Sequence, residues 1–205
     1  MNLHLEHAKN GRTVIVALLE MRDAEFAAPD GRRCGPISMS LERGMRQACL
    51  CRDAWEARAI ARLASGVIKT SHGFVLIGDF DPRLQPTQCK RIAAYVAHDA
   101  MPLDGMPFER FIAYRAALWD LDLDAALTRS RMLLAQLEGL HEAFAVPLVA
   151  ALLAQPRLLV LDRPQAVYAR AILAAASDCA VFSTHDLPRD IDAFDECAAQ
   201  RAPAR

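Results

Sequence analysis

The stretch Arg157–Gln165, RLLVLDRPQ, constrains the fold of this chain more than any other. Four consecutive apolar residues, Leu158 to Leu161, end on Asp162. That is the pattern of a strand buried on both faces of a parallel sheet, delivering a carboxylate at its carboxyl end. Parallel strands need crossover connections and cover on both faces, so an α/β chain is expected around it. The residue that follows is Arg163. Where such a strand serves phosphate chemistry a catalytic acid is expected there, so either the strand serves another chemistry or the site has lost a working part.

The rest of the pattern agrees with one α/β unit. The segment RTVIVALLEMRDAEF reads as one or two strands, and PDGRR at Pro29–Arg33 supplies a hairpin turn. In GPISMSLERG, Ile37, Met39 and Leu41 share one face of a half-buried strand that closes on Gly44. From Trp55 to Val67 the spacing of Ala57, Ile60, Ala61, Leu63 and Ala64 predicts a helix, with Gly66 at its C-terminal cap. HGFVLIGDFDP reads as a strand and turn, CKRIAAYVAHDAMP as a short apolar strand ending near His98. Helices are expected from about Pro107 to Ala154, broken near Asp120 and Gly139, then strand 158–162, helix 166–176 and strand CAVFSTHD.

Composition narrows the class without naming a partner. The chain has 205 residues, 53% hydrophobic and 24% charged, with a formal net charge of -1. That describes a soluble domain with a sizeable core and gives no electrostatic footprint for nucleic acid. The N-terminus lacks a signal-peptide pattern, and AFAVPLVAALLAQP from Ala143 is too short to span a bilayer and contains Pro147, so it reads as a buried core helix. Six scattered cysteines fit a reducing cytosol, and the Cys49–Leu50–Cys51 spacing is wrong for a zinc knuckle.

In order, these landmarks resemble the nucleotide-binding domain of ABC transporters from roughly Leu19 to Asp195. LLEMRDAEFAAPDGRRCGPISMSLERG resembles the first β-hairpin leading into the strand before the phosphate loop. RLASGVIKTSHGFVLIGDFD resembles the helix, loop and strand that follow. ALLAQPRLLVLDRP resembles the helix, proline and Walker B strand, and VFSTHDLPRDIDAFDE the switch-histidine strand. The resemblance implies a P-loop NTPase-like ABC ATPase fold, α/β, with an N-terminal antiparallel β subdomain and a reduced helical insertion. The division it implies is an extension at 1–18, the β subdomain and first half of the core at 19–97, a helical subdomain at 98–150, the second half at 151–196 and a tail at 197–205.

The functional positions depart from the family. Where its Gly-rich phosphate loop stands, this chain has CRDAWEARA, Cys51 to Ala59, with no glycine to supply positive-φ turns and converging N–H groups. The family lysine falls on Ala57 and the magnesium-binding hydroxyl on Arg58. The only three lysines, Lys9, Lys69 and Lys90, lie elsewhere, while Asp53 and Glu56 oppose a triphosphate. The adenine-stacking aromatic falls on Ala28, the γ-phosphate glutamine on His98, the general base on Arg163 and the switch histidine on His185. The signature falls on EGLHE, Glu138–Glu142, and the segment from Pro164 to Ala180 is too short for the loop linking two such domains. Asp162, Arg163, His185, His98 and Arg58 are therefore vestigial positions of a nucleotide site. Arg163, always charged, is expected to pair with Asp162, Asp53 or Glu56 as a structural plug.

The resulting expectation is a pseudo-ATPase without cofactor, metal or catalytic residue, cytoplasmic and peripheral at the inner membrane, in a transport, secretion or export assembly of a bacterium. Its partner is a permease or other inner-membrane subunit, an intact ABC ATPase or a second copy; nucleic acid is not expected. Phe108, Phe111, Ile112 and Tyr114 are the docking candidates. The alternative is a divergent subunit that binds, and even hydrolyses, magnesium ATP through Arg58 and Arg163. A weaker one is a metal or redox sensor built on Cys34, Cys49, Cys51, His4 and His7.

Overall fold

The computed structural model describes residues 17–99 and 105–194. The expectations for His4, His7, Cys197, most of the extension and the tail lie outside these residues.

The first layer is an antiparallel sheet. Strands β1 (Leu19–Ala27) and β2 (Arg33–Leu41) form the hairpin expected around Pro29–Arg33, closed by the Ala28 N–H on the Arg32 carbonyl at 2.8 Å. β4 (His72–Ile77) pairs along the other edge of β1, giving the order β2-β1-β4. The pairing register shifts where β1 bulges at Asp23, whose φ is +45°. Gly73 sits against the Arg22 and Asp23 carbonyls of this bulge, where any Cβ would collide with backbone.

The second sheet is parallel, in the order β3-β7-β6-β5, and contains the strand expected at Leu158–Asp162. β6 (Leu158–Asp162) and β7 (Ala180–His185) are central and buried at every residue. β5 (Ala93–Val96) and β3 (Arg46–Leu50) form the flanks. Helix α1 (Ala54–Ala64) lies between the sheets. Its buried Ala57, Ile60, Ala61 and Leu63 join Leu19, Met21 and Ile77 to Leu158, Val160 and Phe182 in one apolar cluster.

The opposite face of β6 and β7, through Leu159, Leu161 and Val181, packs on the helices. These are α3 (Phe108–Leu118), α4 (Leu123–Gln136), α5 (Glu142–Leu153) and α6 (Ala169–Ala175). The breaks expected near Asp120 and Gly139 are present, both residues having positive φ. Among the described residues no helix is long and apolar enough to cross a membrane; α5 is a buried helix, as expected for a segment containing Pro147.

Two elements differ from the sequence reading. The front of CKRIAAYV is helical, α2 (Pro86–Ile92), because Pro86 opens a first turn and Cys89 and Ile92 bury one face three residues apart. Strand character begins only at Ala93. The helix expected over 166–176 starts as a 3-10 turn over Ala166–Tyr168 and becomes α-helical at Ala169.

Candidate functional site

The parallel sheet brings its chemistry to one edge. In an open α/β sheet the crevice outside the carboxyl ends of the strands is where ligands bind. There β5 leads to His98 and Asp99, β6 ends on Asp162 and Arg163, and β7 ends on His185 and Asp186. Arg58 reaches the same place from the second turn of α1. All five vestigial positions therefore lie at one edge of the sheet.

Asp162 is the centre of the cluster, with its side chain fully buried at 0% exposure. Its Oδ1 accepts from Arg163 Nε at 3.0 Å, and its Oδ2 lies 3.4 Å from Arg58 Nε. The Tyr95 hydroxyl and the His98 N–H donate to Oδ2 at 3.4 and 3.5 Å. Both carboxylate oxygens are thus held by protein groups, which is what a buried charge requires. Each arginine has a further acid: Arg58 Nη2 contacts Asp99 at 2.9 Å and Arg163 Nη1 approaches Asp186 at 3.8 Å. His98 Nδ1 lies 3.0 Å from the Arg163 carbonyl. Burial, reinforced by the Asp162 charge, holds the Tyr95 phenol above its usual range.

The pairing of Arg163 with Asp162 is as expected, whereas Asp53 and Glu56 are not its partners. Asp53 caps α1, accepting from the Glu56 N–H at 2.8 Å. Glu56 turns back and accepts from the Arg52 N–H at 2.7 Å and from Arg52 Nε at 2.9 Å. This is a reciprocal cap in which the acid in the first turn reaches the backbone before the helix. The connection from β3 to α1 is only Cys51–Asp53, and the Cys51 N–H is bound to the His185 carbonyl at 2.7 Å. Beside it, Arg32 from the hairpin turn lies 4.7 Å over the Trp55 ring, which stacks on Phe26.

His185 is 1% exposed, with Nε2 2.9 Å from Ser183 Oγ, its ring 5.3 Å from that of Phe194, and Nδ1 without a partner among the described residues. Burial lowers its pKa to about 4, against the raising effect of Asp190 and Asp186. The imidazole is neutral at pH 7.

The docking candidates separate. Ile112 is fully buried in the helical core and unavailable to a partner, and Phe108 and Phe111 pack partly against the same cluster. Tyr114 is 57% exposed, next to an equally exposed Leu118 one turn on. At the signature position, Gly139 turns the chain and the His141 ring accepts from the Ala143 N–H at 3.2 Å. Cys34, Cys49 and Cys51 are free thiols, and among the described residues no three His, Cys, Asp or Glu side chains gather as a metal site.

Tyr95, Asp99 and Asp186 belong to the cluster and were not singled out from the sequence. For the two acids the available signal was the His–Asp pair at the carboxyl end of both β5 and β7, at His98–Asp99 and His185–Asp186.

Among solved structures, the chain is similar to cbiO1 from Clostridium perfringens, part of the ABC transporter complex cbiONQ. The TM-score is 0.66 at 18% identity, over 86% of this chain and 82% of that one. It is similar also to an ATP binding subunit of an ABC transporter, with a TM-score of 0.69 at 16% identity over the same shares. The fold is that of an ABC ATPase. No protein-family model matches the sequence, and no curated protein is similar to it. Within the ABC fold, the β3–α1 connection stands where the resemblance puts the phosphate loop, β6 where it puts the Walker B strand and β7 where it puts the switch-histidine strand.

Proposed function

We propose that the chain is a non-catalytic ABC-ATPase-like subunit, a cytoplasmic component that works by binding within a membrane transport, secretion or export assembly. One observation carries the reading: three of the N–H groups along the connection Cys51–Asp53 and the first turn of α1, those of Cys51, Arg52 and Glu56, are bound to this chain's own oxygens. A phosphate cradle needs free, converging N–H groups at a helix N-terminus. Here the Arg52 N–H is on Glu56, the Glu56 N–H on Asp53 and the Cys51 N–H on the His185 carbonyl. The metal-binding carboxylate is likewise occupied, since Arg58 and Arg163 flank Asp162. In-line phosphoryl transfer needs a cation on the phosphates and a group that orients the attacking water. Arg163 stands where the base would be and cannot accept a proton at neutral pH.

The runner-up is a divergent subunit that retains ATP. Its support is that both similar structures are ABC transporter subunits, one of them described as ATP-binding, and that arginine binds phosphate well. Under that reading Arg58 and Arg163 would leave Asp162 for the nucleotide. The test is phosphate release from magnesium ATP by the wild type and by Arg163→Glu. Neither is expected to release phosphate above the buffer blank; magnesium-dependent turnover by either protein would overturn the non-catalytic reading.

A further inference from the structure

The carboxyl end of β3 carries two cysteines that the charge cluster does not use. Cys49 and Cys51 are two residues apart, so both side chains leave the same face of the extended chain. That face meets the apolar cluster around α1: Cys51 is buried in it at 6% exposure, and the half-buried Cys49 packs against it. The Cys51 Sγ turns back to 3.6 Å from the Cys49 carbonyl oxygen, and the two thiols lie within hydrogen-bond reach of each other. Two strand residues advance about 6.4–6.8 Å, the wide end of the Cα separations that a disulfide bridges. The other free thiols among the described residues are engaged or withdrawn. Cys89 Sγ donates to the Phe80 carbonyl at 3.4 Å and Cys179 Sγ to the Pro156 carbonyl at 3.0 Å, while burial pushes Cys34 and Cys179 up to about 11. Cys49 differs from them. The hydrogen bond from Cys51 holds its thiol below the ordinary value, against burial and the Glu56 charge, and the same bond together with burial holds Cys51 above it.

We propose that Cys49 and Cys51 form a dithiol site that a hydroperoxide converts reversibly to a disulfide. Cys49, the more exposed of the two, is the attacking thiol, and Cys51 is the resolving one, which needs access only to its neighbour. The Cys49 thiolate attacks one peroxide oxygen; the O–O bond breaks, the departing hydroxide takes a proton as water, and Cys49 becomes a sulfenic acid. The Cys51 sulfur then attacks the sulfenic sulfur; the S–O bond breaks, and the oxygen leaves as a second water with the proton from Cys51. Two thiols are oxidised and one hydroperoxide is reduced. In a reducing compartment such a bridge is transient, and its place gives it a target. The Cys51 N–H is bound to the His185 carbonyl at 2.7 Å and the next residue, Arg52, to Glu56, so the bond forms in the connection that closes the phosphate-loop position. The inference goes beyond the binding role and stands whether or not ATP is retained.

The test treats the reduced full chain with hydrogen peroxide, blocks the remaining thiols with iodoacetamide and maps tryptic peptides by mass spectrometry without reduction. Cleavage after Arg46 and Arg52 leaves both residues in one peptide, Gln47–Arg52. That peptide is expected to appear unalkylated and lighter by two hydrogen atoms, and to return to the dithiol form with dithiothreitol. Before oxidation, Cys49 should alkylate at least about tenfold faster than Cys34, Cys89 and Cys179. In Cys51→Ser, Cys49 should stop at the sulfenic acid, trapped by dimedone, and pass to the sulfinic acid with more peroxide. In Cys49→Ser, peroxide should leave Cys51 as a thiol. An unchanged Gln47–Arg52 peptide at peroxide levels that oxidise free glutathione overturns the proposal. So does a bridge from either residue to Cys34 or Cys197, a sulfinic acid at Cys49 in the wild type with no bridge, or equal alkylation of all the thiols. The wild-type map decides the matter even where a variant does not fold, and no nucleotide is present, so the outcome is separate from that of the phosphate-release experiment.

Discussion

Asp162 is a carboxylate removed from water, and its tolerance depends on the two guanidinium groups beside it. Breaking such an arrangement costs far more than its net worth, because one charge is left buried and unpaired. Arg163→Glu replaces a partner with a like charge and adds repulsion from Asp186. Urea denaturation should show a loss of about 3 kcal/mol or more; an unchanged midpoint would mean that Arg163 is not the partner that holds the charge. His185 supplies a second residue-level test. Its folded pKa of about 4 lies below the ordinary 6.5, so between these values the unfolded chain binds more protons than the folded one. By linkage its contribution is fully present above pH 6.5 and is lost as pH falls toward 4. The loss is on the order of 2–3 kcal/mol. The wild type should therefore lose more stability over that window than His185→Gln does; parallel pH profiles would contradict it.

At the scale of elements, α1 decides how the site is shaped. It begins on the Asp53 and Glu56 cap and ends in a Schellman arrangement, with Gly66 N–H on the Leu63 carbonyl and Val67 N–H on the Arg62 carbonyl. Gly66 has φ +72°, and a Cβ there would lie 2.9 Å from Pro82 Cβ. Gly66→Ala should cost about 1–3 kcal/mol in urea denaturation; a neutral or stabilising result would show that the α1 end is free to move. The glycine and the helix were legible because their signals are local, as was β6, whose apolar run needs no partner to be recognised. β3 was legible only through the resemblance, as the strand before the phosphate loop, because Arg46–Leu50 offers no more than the short apolar end Ala48–Leu50 and becomes a strand by pairing with β7. The front of α2 was hidden because Ile92–Val96 runs on without a break in apolarity. Within the site, Asp162, His98 and His185 were legible as strand ends. Asp99, Asp186 and Tyr95 were not, because charge pairing across β5, β6 and β7 depends on strand order. The same reason left the partner of Arg163 open among Asp162, Asp53 and Glu56, of which Asp162 is the one found.

In the whole molecule the sheet edge is closed on itself by ion pairs, whereas the helical layer keeps exposed apolar residues. If binding is the function, substitutions at the two places should have opposite consequences. Tyr114→Ala/Leu118→Ala should remove a co-purifying partner, each buried hot spot being worth about 2 kcal/mol or more. Asp162→Asn should leave that partner bound, once circular dichroism shows that both variants fold. Loss of the partner on Asp162→Asn alone would place the interface at the sheet edge instead. Whether the sheet edge still takes a nucleotide is read from the melting temperature of the wild type with and without millimolar magnesium ATP. A ligand at about one hundred times its Kd stabilises by about 2.7 kcal/mol, which a melting curve resolves readily. No shift is expected, because Glu56, Arg58 and Arg163 already occupy the groups that a nucleotide would use. A saturable rise that disappears in Arg58→Ala/Arg163→Ala would contradict it.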